Sequence, residues 1–257
     1  GGITTTLDSN FNGVRVGAGA GSVGSNVSFG QSALNANTTG TGNTAIGYVS
    51  LVTNTVGYNN IGVGPQTLQL NTTGYQNVAV GAAALYANTT GTNNVAIGNT
   101  ALISNTIWYS NTAVGSAALY TNTTGAGNTA IGFNALNANT VGIQLTAVGS
   151  GALNSHTTGT NNTAVGFNAA YYMTTGQENT AIGKDSMQKT TTGVNNIAIG
   201  SYALYTNVTG SSNVAVGRSA LNLSTVDNGT AIGHYALSAN TTGVNNTAVG
   251  ASALILN

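Results

Sequence analysis

The chain has 257 residues, 41% of them hydrophobic and only 3% charged, and its four basic and four acidic residues cancel to a net charge of zero. That balance excludes an electrostatic footprint for nucleic acid or an anionic membrane. With no cysteine there is neither a disulfide framework nor a thiolate metal site, and no apolar run approaches the ~20 residues of a membrane-spanning helix, so no membrane insertion is expected.

Residues 1–25, opening GGITTTLDSN, show no signal-peptide pattern. They are read as an N-terminal cap or a connection to a preceding segment. From residue 26 to 257 the sequence repeats. Glycine follows an apolar residue at fourteen places from Gly30 to Gly250, each step being 17 residues except the 16 from Gly217 to Gly233. Disordered low-complexity sequence does not hold register in this way; a solenoid does.

The aligned unit is N-[T/V]-A-[I/V]-G-x-x-A-L-x-x-N-T-T-G-x-x. At ~3.3 Å per strand residue, 17 residues predict one turn of two short strands and two glycine corners, with successive turns stacked in parallel ~4.8 Å apart. The fold class is therefore all-β, a parallel β-solenoid (β-roll or β-helix) of about 14 coils.

Each column of the repeat has its own chemistry. The residue before the glycine is Ile or Val in 13 units, and four after it stands Leu in 12 of 14. These β-branched and branched aliphatic columns are predicted to form the core, represented by Ile131, Leu136, Val148 and Leu153. Asn stands four before the glycine in 12 of 14 units and seven after it in 9 of 13, a spacing that predicts amide ladders between turns. The column two before the glycine admits only Ala, apart from Ser28 and Gly62. By alternation it faces away from the Ile/Val column, so Ala113, Ala130 and Ala147 are expected on an outward seam where another subunit comes close. Ordering a turn also costs more than its few buried apolar side chains return, which again favours a homo-oligomer.

Aromatic residues depart from the consensus along the chain. Tyr86, Tyr120, Tyr171 and Tyr205 share the column after the Leu position, and Trp108 replaces the second glycine of its unit with Tyr109 directly after it. Trp108, Tyr109, Tyr86 and Tyr120 are the candidate glycan contacts, because an exposed indole or phenol can stack on a sugar ring. The alternative is that Trp108 covers the corner by packing on the neighbouring turn. His156 occupies an Asn position and His234 follows a corner glycine, so the two do not pair. Glu178, Lys184, Asp185 and Lys189 form a charged group read as a surface salt-bridge cluster. No Ser/His/Asp set, paired carboxylates or metal-ligand spacing can be assembled, so neither enzymatic activity nor a metal or cofactor is expected.

At "NTAIG" and "NVAVG" the sequence resembles the head repeats of trimeric autotransporter adhesins, and "ALYANTTGTNNVAIG" resembles the repeat arrays of phage and phage-like tail fibres. The resemblance spans roughly residues 26 to 254. It implies a left-handed, homotrimeric roll located outside the cell or on a virion tail fibre, with end-to-end joining into filaments as a further option. The chain is accordingly expected to be a mature or excised shaft, a structural fibre or adhesin mediating attachment to a cell surface. Two alternatives are carried: a directly carbohydrate-binding adhesin, and an ice-binding solenoid using the first Thr of each NTTG as an outward rank, with the second Thr turned inward.

Overall fold

The computed structural model describes residues 9–12 and 14–256, so residues 1–8 and 13 of the expected N-terminal segment lie outside the described residues. The chain divides into two compact units, Gly1–Ala126 and Gly127–Asn257. In the first, β1 (Ser9–Phe11) pairs antiparallel with β2 (Val14–Gly17), which pairs antiparallel with β3 (Val27–Gly30). From there each strand runs parallel to the last and in register: β4 (Thr44–Ile46), β5 (Ile61–Val63), β6 (Val78–Val80), β7 (Val95–Ile97) and β8 (Thr112–Val114). The second unit continues the pattern with β9 (Thr129–Ile131), β10 (Thr146–Val148), β11 (Thr163–Val165), β12 (Thr180–Ile182), β13 (Ile197–Ile199), β14 (Val214–Val216), β15 (Thr230–Ile232) and β16 (Thr247–Val249). All-β, with a 17-residue period and about 13 turns, the protein is a parallel β-solenoid.

Each turn contains one three-residue strand rather than the expected two. The segment after the glycine cannot form a second strand because it turns repeatedly through left-handed conformations: Val49 and Leu51 both have φ 51°, and Asn59 has φ 53°. Such a conformation costs an L-residue roughly 1–2 kcal/mol. Backbone bonds to the turns on either side offset that cost, as where Val49 N–H donates to Gln31 O at 3.0 Å and Leu51 N–H to Thr67 O at 3.0 Å. The recurrent glycines are corners, as the sequence predicts. Gly98 has φ +138°, and a Cβ there would lie 2.5 Å from the carbonyl oxygen of Gly115. The backbone of the next turn occupies the side-chain space.

The alternation along each strand holds, but its inside and outside are the reverse of the expected ones. Ala113, Ala130 and Ala147 are fully buried, as are Leu136 and Leu153, whereas Ile131 is 40% exposed and Val148 is half-buried. The Ala column therefore belongs to the core and the Ile/Val column faces outward. The reason is the width of the coil. A second Ala column, three after the glycine, and the Leu column come from the opposite side of the same turn and leave room for one methyl group. Gly62 shows the fit: where this column loses its methyl, the facing positions carry Ser50 and Thr67, whose hydroxyls lie 2.8 Å apart, and Ser50 Oγ bonds to Gly62 O at 3.1 Å.

Candidate functional site

Two asparagine ladders line the interior. In the first unit Asn54 Nδ2 donates to Asn37 Oδ1 (3.1 Å), Asn71 to Asn54 (2.7 Å) and Asn88 to Asn71 (2.8 Å), one amide per turn. The other ladder bonds side chain to backbone as well: Asn77 N–H and Nδ2 both reach Asn60 Oδ1, each at 3.1 Å. Both ladders converge on the second glycine of the repeat. The carbonyl of Gly74 accepts Asn60 Nδ2 at 2.8 Å and Asn71 Nδ2 at 3.1 Å, which saturates its two lone pairs. These amides are a structural spine and are inaccessible to ligands.

His156 stands within this spine. It is fully buried, with Nδ1 3.4 Å from Asn139 Oδ1 and Nε2 3.1 Å from Asn162 Nδ2. Asn162 Nδ2 is a donor, so Nε2 accepts from it and Nδ1 carries the proton: the ring is neutral. Burial pushes its pKa down to about 4, with the Gly176 backbone opposing in part. His234 lies on the outside, its ring 4.2 Å from that of Tyr235.

Trp108 leaves the spine intact. Its carbonyl takes the glycine's part, accepting Asn94 Nδ2 at 2.8 Å and Asn105 Nδ2 at 3.1 Å. The glycines of this column have no positive φ, so close approach rather than conformation selects them, and a larger residue can enter if its ring turns away from the stack. Tyr109 is 53% exposed and lies 6.2 Å from the Trp108 ring at 28°. Trp108 Nε1 is buried without a hydrogen-bond partner. Tyr86 and Tyr120 stand on another part of the turn, between the Leu column and the ladder that contains Asn88 and Asn122. The four candidate glycan contacts thus divide into two sets. The sequence reading passed over Tyr58 and Tyr75, which stack face to face at 4.7 Å and 4°. Their signal was available: both lie in Tyr109's column, offset by whole 17-residue steps.

The Thr ranks also differ from expectation. The first Thr of NTTG donates its hydroxyl to the next turn, Thr55 to Thr72 O at 3.0 Å and Thr72 to Thr89 O at 3.1 Å, so these protons are not offered to a ligand. The second Thr column points outward rather than inward, since Val56, Ile107 and Val141 in its place are all exposed; Val226, in the 16-residue turn, is half-buried and takes the glycine's part instead, its carbonyl accepting Asn213 Nδ2 at 2.8 Å.

The remaining surface feature is the outer strand face. Positions one and three of every parallel strand form two ranks in register, such as Ile197 and Ile199 on β13, both exposed, paired to Val214 and Val216 on β14. Among the described residues no group of three His, Cys, Asp or Glu could hold a metal ion. No family model, curated protein or solved structure matches the chain.

Proposed function

We propose that the chain is a structural extracellular fibre shaft or adhesin of tail-fibre or trimeric-adhesin type, and that copies associate as a homotrimer through the outer strand face. The observation that carries this reading is the pair of β-branched ranks. The rank at position three is Ile or Val in every strand from β4 to β16, half-buried or exposed, and is flanked at position one by Thr, Val or Ile. A strip of water-exposed apolar side chains is what a partner-covered surface looks like, and a repeating turn extends it with length. The seam thus moves from Ala113, Ala130 and Ala147 to the columns flanking them. Ile131→Lys combined with Val148→Lys places charge on that strip while leaving the core untouched. Light scattering should find the parent protein at three times its single-chain mass and the variant at one, with unchanged far-ultraviolet circular dichroism. A monomeric parent overturns the proposal.

A second reading, direct attachment to a neutral glycan, is favoured by the exposed Tyr109 ring beside Trp108. Trp108→Gly restores the consensus turn and should weaken glycan-array binding without lowering thermal stability. Unchanged binding would leave the ring as packing alone.

A further inference from the structure

Besides Arg15, the chain has only three basic residues, Lys184, Lys189 and Arg218, and all three fall within about two turns of the second unit. They are not spread as solvated charges. Lys184 Nζ lies 5.5 Å from the centre of the Tyr202 ring, Lys189 Nζ 5.2 Å from that of Tyr205, and Arg218 Cζ 5.8 Å from that of Tyr235. In every case the cation comes from one turn and the ring from the next. Tyr202 and Tyr205 meet edge to face at 5.6 Å, joining the first two pairs into one cluster. Lys184 and Arg218 each directly follow a corner glycine, two turns and therefore roughly 9.6 Å apart.

We propose that this cation and tyrosine strip is a binding site for an acidic polysaccharide, a polymer whose sugar rings carry carboxylate or sulfate groups. Tyrosine ring edges beside the cations supply apolar contact for a sugar ring, and cations held over the ring faces are presented with less rotamer freedom than free surface lysines. Lys184, Lys189 and Arg218 are exposed, and the three rings are half-buried, which leaves ring edges in reach of a ligand.

The local charge decides the ligand class. Asp185 Oδ2 lies 3.7 Å from Lys184 Nζ, while Asp185 itself is only 6% exposed and accepts Gln188 Nε2 at 2.8 Å. It holds Lys184 in place from beneath and offsets one charge, so three cations and one anion leave a net of +2. Asp227, which accepts Ser211 N–H at 2.7 Å, and Glu178, which borders a shallow depression with Gln177, Val194 and Asn195, keep their charges but stand in other columns of the turn than Lys184, Lys189 and Arg218. A net of +2 along an aromatic strip is too sparse for a nucleic-acid backbone, whose binding draws on many phosphate contacts. It suits a polymer with one charge per sugar or fewer. The hydrogen bond and charge of Tyr202, followed by Asp185, raise the Lys184 pKa, so Lys184 is charged at neutral pH, where carboxylate and sulfate groups are ionised as well.

The site belongs to a single copy of the chain and does not depend on the fibre assignment. Binding of the intact chain to fluorescent alginate oligosaccharides is measured at low salt against neutral dextran, poly-L-glutamate and single-stranded DNA. Alginate should bind, and dextran and polyglutamate at least tenfold more weakly. Lys184→Gln, Lys189→Gln and Arg218→Gln together should abolish alginate binding. Tyr202→Leu with Tyr205→Leu, which keeps every charge, should weaken it about tenfold, with circular dichroism confirming that both variants remain folded. The proposal is overturned if alginate does not bind, if either folded variant binds as the parent does, if polyglutamate matches alginate, or if DNA binds more tightly.

Discussion

The two units share a fold but not a spine. In the first, Asn37, Asn54, Asn71, Asn88, Asn105 and Asn122 form an unbroken column, whereas the second has Asn139, His156, Met173, Thr190, Asn207, Ser224 and Asn240 in the equivalent places. His156 keeps the hydrogen bonding, and Met173 offers its sulfur to Asn179 Nδ2 at 3.8 Å. Thr190 Oγ1 and Ser224 Oγ are buried with no partner. Because the turns stack in the same register in both units, the backbone ladder and the corner glycines suffice to set the coil. The amide column adds stability turn by turn and can be interrupted.

The largest test breaks the other amide ladder, which runs beside that column. Asn77 bonds Asn60 Oδ1 and Gly91 O, and its own Oδ1 receives Asn94 N–H at 3.0 Å. Asn77→Ala leaves several buried groups unpaired at once, and at roughly 1–3 kcal/mol per group the first unit should lose about 3 kcal/mol or more, read as a lower urea midpoint.

Next comes pH, which separates the units through His156. Its pKa is about 4 in the folded chain against 6.5 when unfolded, so between those values the unfolded state holds the extra proton. Stability present above pH 6.5 should therefore fall as the pH drops and level off near 4, a loss on the order of 3 kcal/mol. Thermal melts across this range should show it in the parent and not in His156→Asn, which restores the amide. The smallest effect is a gain: Thr190→Asn or Ser224→Asn extends the ladder into the second unit and should raise stability by about 1 kcal/mol each in denaturant titrations.

How much of this was legible follows from what periodicity encodes. The 17-residue step, the corner glycines, the Leu column and the ladders come directly from spacing, because each is a rule repeated in every turn. Alternation also separates Ala130 from Ile131 correctly, yet alternation names two faces without saying which is inside. Hydrophobicity points to Ile; the width of the coil decides for Ala, and that width depends on Leu136 entering from a left-handed backbone at φ 50°, a conformation that propensity argues against. The aromatic corners were half legible. Trp108 stands out as an exception to its column, while the Tyr58 and Tyr75 stack and the pairing of Lys184, Lys189 and Arg218 with rings one turn away require the turns to be laid over one another.

The buried spine also bears on how the chain can be made. Asn37, Asn71, Asn88, Asn122, Asn207 and Asn240 each begin an Asn-x-Thr triplet, the acceptor sequence for N-glycosylation. In the folded chain all six are buried, and each Nδ2, the atom that would carry the sugar, donates to the carbonyl three residues on, as from Asn71 to Gly74 at 3.1 Å. A glycan added during synthesis would occupy the space of the adjacent turn. With these six triplets bare the coil can close, so a host lacking that modification suits production of the protein.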